Sequence, residues 1–388
     1  MSIQWYPGHM HKAGKEMDAV LPNVDVVVEV LDARLPYSSA NPMLEKRLGS
    51  KPRLRVLTRA DLADPVQTER WLEALSGAPE PFGDTADGSG VGSDAGNADE
   101  AGRADEGRDG AGASPARIES AIAISLETEG TVRQIPERLR ALAAASDAAA
   151  GRDGFRAAPR TAMIVGIPNV GKSTLINRLA GRTIARTGNE PAVTRRQQSV
   201  PLGEGWRLRD TPGVLWPNVE NVASGFRLAA SGAVRDTAMD SGEVAVWLIE
   251  QLVLLYPDRL AERYGEALAV PGRRTAGSGG TGAGGEERVE RERPATAAGS
   301  AERPDGVVLL ERIGRARGCF GAGRLVDFDR AGRLLLQEFR SGRLGRITLE
   351  TPTMRTSELL ETAERRAALE AKREERREAR RRRRRKRA

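Results

Sequence analysis

Nine residues constrain this chain more than any others: Gly166-Ile167-Pro168-Asn169-Val170-Gly171-Lys172-Ser173-Thr174 follows the pattern G-x-x-x-x-G-K-[ST]. The glycines let backbone N–H groups turn inward around phosphate oxygens, and the helix that follows offers its positive N-terminal end. Asn169, Val170, Gly171, Lys172, Ser173 and Thr174 are therefore candidate nucleotide-binding residues. Lys172 can reach the β/γ phosphates, which makes it a candidate catalytic group as well, and Ser173 can hold Mg2+. Such a loop needs a strand before it and a helix after it. Thr161 to Val165 is an apolar run suited to a buried strand, and Leu175 to Ala180 carries apolar residues at helical spacing.

A chain of 388 residues has room for two or three domains. Its one cysteine, Cys319, excludes an internal disulfide and fits a reducing compartment. Met1 to Pro7 lacks a charged segment followed by an apolar one, so it does not read as a signal peptide. No apolar run approaches the length of a membrane span. The expectation is a cytoplasmic protein. The net charge of +7 conceals a division, because residues 364–388 carry +9 and the remainder −2. The basicity belongs to a tail, which polyphosphate backbones attract without reading sequence.

Along the chain, Asp25 to Asp32 and Arg53 to Leu57 read as buried strands, with a helix expected from Asp64-Pro65. Residues 83–117 are dominated by Gly, Ala, Ser and Asp and read as a disordered insertion. A strand candidate at Ala121 to Ser125 and a helix from Val132 to Leu142 follow, then a linker over 143–158. After Pro217 the strand patterns stop and helical ones take over, interrupted by a second Gly/Glu/Arg-rich insertion at 272–304. The spacing predicts an α/β domain over 1–217 built on a mostly parallel sheet with flanking helices. A smaller all-α domain over 218–351 and a charged helix with a basic tail over 352–388 complete the chain.

Downstream of the loop, Asp210-Thr211-Pro212-Gly213 ends a strand candidate. An aspartate there can bind Mg2+, and the Gly213 amide can sense a γ-phosphate. Thr194, in the Pro-containing stretch between these motifs, can supply a second hydroxyl to Mg2+. Upstream, Thr58-Arg59-Ala60-Asp61 ends another strand. The common form of this element is Asn-Lys-x-Asp, whose aspartate accepts two hydrogen bonds from an edge of guanine that adenine lacks. A buried acceptor left unpaired by the wrong base makes the choice. Here Thr58 can offer one hydroxyl and Arg59 can lie flat on the base, although T-R-A-D by itself also suits a surface helix cap. Ser125 stands where a Ser-Ala-Lys element would set a backbone N–H on guanine O6, but Leu126 and Glu127 depart from that form.

The base-reading elements precede the phosphate loop, which precedes the two switch elements; in ordinary GTPases the base-reading elements come last. The chain resembles a circularly permuted P-loop GTPase. More specifically, Ile3 to Met10, Glu29 to Ser39, Gly166 to Asn169, Asp210 to Pro217 and Phe339 to Thr348 are similar to the ribosome biogenesis GTPase A family, over blocks 1–76, 118–142, 159–270 and 306–351. The resemblance implies GTP as substrate with Mg2+, late maturation of the large ribosomal subunit, and a helical domain docked on ribosomal RNA and proteins; a monomer is expected because nothing in the sequence argues for an obligate dimer. The resemblance also makes His9 the candidate catalytic histidine, since Val214 stands where a Ras-like enzyme orients water with glutamine. Asn169 resembles the asparagine that holds K+ in potassium-activated GTPases, the alternative being an amide that bridges the loop. Rival readings are a small-subunit GTPase, a GTP/GDP-sensing RNA-binding protein with little catalysis, and an ATPase.

Overall fold

The computed structural model describes residues 3–4, 8–76, 118–152, 159–182, 198–203, 205–211, 213, 218–219, 221–234, 239–268 and 305–385. Both Gly-rich stretches, 83–117 and 272–304, lie outside the described residues, as do Thr194 and Val214.

The first part of the chain runs β1 (Ile3–Gln4), α1 (Gly8–Val20), β2 (Val26–Asp32), α2 (Pro36–Ser39), α3 (Pro42–Leu48), β3 (Arg53–Thr58) and α4 (Pro65–Ser76). It continues through β4 (Glu119–Ala123), α5 (Glu129–Val132), α6 (Gln134–Ala149), β5 (Arg160–Gly166), α7 (Lys172–Ala180), β6 (Gln198–Gly203) and β7 (Trp206–Asp210). Six of these strands form one sheet in the order β4-β3-β2-β5-β7-β6, parallel except for the β6–β7 pair.

The centre of that sheet explains why β2 shows no alternation of apolar and polar residues: both of its faces are covered. Val26, Val28 and Val30 pack with Ile135 and Leu139 of α6 and with Leu175 and Ile176 of α7. Val27 packs on the other side with Met17, Leu44 and Leu48, and Leu31 with Trp71 and Leu75. Glu29 shares this second face with Arg53 and Arg55 of β3, and the charges neutralise one another. Arg53 pairs with Glu45 and lies 3.4 Å from Glu29, while Arg55 lies 2.6 Å from Glu119.

Two expectations are corrected here. The segment read as linker from 143 begins as helix, because α6 runs on to Ala149. Alanine is the best helix former, Leu142 and Ala143 are buried, and Asp147 fastens the helix end to Arg160 of β5 at 2.5 Å. Strand structure also continues past Pro217, since β8 (Asn218–Val219) pairs antiparallel with β1.

The remaining helices are α8 (Val222–Ser231), α9 (Ser241–Leu255), α10 (Pro257–Tyr264), α11 (Gly306–Ala316), α12 (Phe328–Arg340) and α13 (Pro352–Arg385). Leu248, Ile249, Leu252, Leu310, Ile313 and Leu335 build a second core among them. The division at 217/218 is not a packing boundary. Leu228, Ala233 and Val234 join the sheet-side core, whereas the intervening Ala229 and Ala230 join the helical one. No helix among the described residues is long and apolar enough to cross a membrane.

Register carries the motifs to one edge. Asp32 lies beside Thr58, Val30 beside Gly166 and Ile164 beside Asp210. These are carboxyl ends of adjacent parallel strands, where open α/β sheets bind ligands. Gly166 makes the register feasible: its φ is +151°, and a Cβ there would lie 2.5 Å from the Val30 carbonyl oxygen. Gly166→Ala should destabilise the fold by about 2–4 kcal/mol in denaturant unfolding. A loss below about 1 kcal/mol would mean that the approach relaxes easily.

Candidate nucleotide site

The loop after β5 turns through Asn169 at φ 57° and Gly171 at φ 101°, and α7 begins at Lys172. Lys172 is buried, and its Nζ donates to the Ile167 carbonyl at 2.6 Å, so the side chain folds back over its own loop. Burial lowers its pKa to about 8, with Asp210 opposing the shift. The Asp-Thr-Pro-Gly segment lies directly against this loop. Thr211 Oγ1 donates to the Ile164 carbonyl at 2.6 Å, and a Cβ on Gly213 would stand 2.9 Å from both Lys172 Nζ and Pro168 Cα. Only a residue without a side chain fits there.

Asp210 closes β7 with its carboxylate buried, and Ser173 occupies the second position of α7. Such oxygen donors suit Mg2+, which is bound through one or two protein groups and completed by substrate phosphates. Among the described residues no group of three His, Cys, Asp or Glu side chains could cage a metal. His9 lies in α1, but its side chain is outside the described residues.

The base-side element sits where the loop does, with different contacts from those expected. Thr58 is fully buried, and its hydroxyl faces the Val170 carbonyl at 2.7 Å and the Leu31 carbonyl at 3.0 Å, so it braces the phosphate loop. Arg59 reaches the loop as well. Its Nη1 donates to Asp32 at 2.7 Å and its Nη2 to the Asn169 carbonyl at 2.7 Å, from a backbone at φ 59°. Asp61 is exposed in the following turn. The Ala60 amide donates to the Ile124 carbonyl, which brings residues 58–61 beside Ser125. Ser125 is buried and accepts from the Glu127 amide, while Leu126 lies against Gly171.

The Asn169 side chain bridges: its Nδ2 donates at 2.9 Å to the Gly232 carbonyl, just past the end of α8. Sequence reasoning gave no role to Asp32 and Arg34, which complete this neighbourhood. Arg34 is fully buried and grips Asp32 with two hydrogen bonds of 3.0 and 2.8 Å. Burial pushes the Asp32 carboxyl up, and Arg34 and Arg59 outweigh it, holding the group well below the usual carboxylate range. The signal available was a charged pair, Asp32 and Arg34, at the end of a largely apolar strand.

Several known proteins are similar to this chain. A family model described as "50S ribosome-binding GTPase" matches residues 161–257. Ribosome biogenesis GTPase A of Bacillus cereus is 35% identical over 353 residues, covering 91% of this chain and 95% of that protein. The protein of the same name from Priestia megaterium is 34% identical, covering 91% and 98%. The structure of GNP-bound YlqF from T. maritima matches with a TM-score of 0.48 at 20% identity, covering 88% of this chain and 98% of that one. Aligned over 91% of its length with the two ribosome biogenesis GTPase A proteins at 35% and 34% identity, and carrying the phosphate loop at the carboxyl edge of its sheet, the chain belongs to the ribosome biogenesis GTPase A family and is a GTPase.

Proposed function

We propose that this GTPase binds a nearly mature large ribosomal subunit in its GTP state and leaves when GTP is hydrolysed, acting as a cytoplasmic monomer. The observation that carries the reading is the direct joint between loop and helical domain, where Asn169 donates to Gly232. A displacement at the phosphates is one hydrogen bond away from α8. The names of the matched family and relatives, "50S ribosome-binding" and "ribosome biogenesis", support that partner. The helical domain and the arginine-rich end of the chain would contact ribosomal RNA and proteins.

In this reading the amides of Asn169, Val170, Gly171 and Thr174 cradle the phosphates, and Lys172 draws charge from the β/γ oxygens. Ser173, Thr194 and Asp210 would hold Mg2+, which neutralises charge developing between the β- and γ-phosphates. Gly213 senses the γ-phosphate, and Asp61 with Ser125 selects guanine. Thr58 and Arg59 act on the base site by fixing the loop beside it. His9 orients the attacking water. The Asn169 Nδ2 donates to Gly232, as a bridging role requires, and K+ would be held by the Oδ1 of the same side chain.

The test is GTP hydrolysis by the full chain with isolated large subunits, with small subunits, and with excess ATP. Large subunits alone should stimulate at least about tenfold, with a ceiling of roughly 10³–10⁵ open to externally completed GTPase sites, and ATP should not compete. His9→Ala should bind subunits and lose the stimulation. Stimulation by small subunits, or effective ATP competition, would overturn the assignment. GTP-dependent binding without stimulation would point to a sensor.

A further inference from the structure

The segment from Asp32 to Ser39 faces two ways. Its Asp32 end touches the nucleotide side through Arg59, whose second nitrogen reaches the Asn169 carbonyl in the phosphate loop. Its Arg34 end enters the helical domain: the guanidinium stacks 4.9 Å from the Phe339 ring and donates to the Phe339 carbonyl at 3.5 Å. Phe339 and Arg340 form the last turn of α12. Arg340 turns back to α8, donating to the carbonyls of Ala230 and Ala229 at 2.9 Å each. Gly232, which accepts from the Asn169 side chain, caps that same helix end.

The contacts close a ring: Asn169, Arg59, Asp32, Arg34, the end of α12, the end of α8, and Asn169 again. Arg59 is the member that suits the task least by default and best in geometry. A lysine ammonium is a point charge, whereas the planar guanidinium can serve two acceptors in fixed directions. Here those acceptors are a carboxylate from β2 and a carbonyl from the loop.

We propose that Arg59 is a positioning residue for the nucleotide site, which locks the phosphate loop to Asp32 so that nucleotide occupancy is transmitted to the last turn of α12. This route leaves from the base side of the loop, separate from the switch segment that ends at Gly213. The proposal rests on the GTPase reading and adds to it which element of the helical domain responds.

Arg59→Ala should fold, because Asp32 keeps both hydrogen bonds from Arg34 and the Arg59 side chain is 29% exposed. The experiment is amide hydrogen exchange of the full chain with and without saturating GDP. Two reporters are available: residues 341–343, whose amides bond back into α12, and residues 232–233, whose amides bond back into α8. In the wild type GDP should slow exchange at residues 167–173 and at both reporters, by about tenfold or more. In Arg59→Ala the GDP dissociation constant should rise about tenfold, the loss of one charge-assisted hydrogen bond. At saturation, protection should persist at 167–173 and, through Asn169, at 232–233, but be largely lost at 341–343, which then keep only the longer route through α8 and Arg340. Arg59→Lys keeps the charge without the fork and should restore only part of it. Full protection of 341–343 in Arg59→Ala and Arg59→Lys would overturn the proposal. So would a wild type protected at 167–173 and not at 341–343. A wild type unprotected even at 167–173 would overturn the nucleotide reading itself, and this proposal with it.

Discussion

Lys172→Met should reduce GTP hydrolysis by about three orders of magnitude, in the range measured when one preorganised charge or donor is removed from a transition state, while leaving the fold at least as stable as before. The two halves of that expectation have one cause. The ammonium is buried in the folded chain, and burial depresses its pKa from 10.5 to about 8. The unfolded chain therefore binds more protons between those values, so wild-type stability rises with pH from about 8 to 10.5. Below pH 8 the charged side chain costs the fold about 3 kcal/mol. The methionine variant lacks both the cost and the slope. Denaturant unfolding of the two proteins from pH 7 to 10 should give curves that converge as pH rises. Hydrolysis within tenfold of wild type would remove Lys172 from the chemistry. A variant less stable at pH 7 would mean that its contact with the Ile167 carbonyl outweighs the burial of charge.

Glu350→Ala should destabilise the protein by about 3 kcal/mol and split its thermal transition in two. Glu350 is buried in the segment leading into α13, and its carboxylate accepts from the Tyr37 amide at 2.7 Å, the Ser38 amide at 3.0 Å and the Ser38 hydroxyl. Arg227 of α8 lies 3.3 Å away. Burial raises the carboxyl pKa, against the pull of Arg227 and the Ser38 donors. Removing one partner of a buried ionic contact typically costs 3–5 kcal/mol. The low end applies, because Arg227 retains Glu358 at 2.6 Å. What is lost is the clamp between the sheet domain and the helices, hence the two transitions. Glu350→Gln keeps an acceptor and should lose about 1 kcal/mol. A single transition within 1 kcal/mol of wild type for Glu350→Ala would show that other contacts hold the domains together.

The fold was legible where local chemistry decides it. The phosphate loop demands a strand before and a helix after, and β2 reads as buried because valine and leucine fill it without alternation. The Ala-rich end of α6 was misread because composition cannot separate a small-residue linker from a helix whose far end is fastened by an ion pair to a strand. The site was less legible than the fold. The side chains of Thr58 and Arg59 suggest contacts to a base, yet their observed partners, Val170 and Asn169, lie more than 100 residues away in sequence. Nothing local to Thr58 tells a hydroxyl facing a ligand from one facing a backbone carbonyl. The same holds for Glu350 and for the contacts of Arg34 with Phe339, which exist only once the last helices have closed on the sheet.

The strand order also has a consequence for a chain leaving its own ribosome. β2 is flanked by β3 on one side and by β5 on the other. β3 follows within some 20 residues, but β5 begins only at Arg160, 128 residues after β2 ends at Asp32. At 5–20 residues per second, the second edge of the central strand waits roughly 6–25 s for its neighbour to be synthesised. The Gly-rich stretch at 83–117 lengthens that wait. An apolar strand with one unpaired edge is a template for pairing with other chains. The permuted order therefore leaves the nascent protein in need of protection just before its phosphate loop is made.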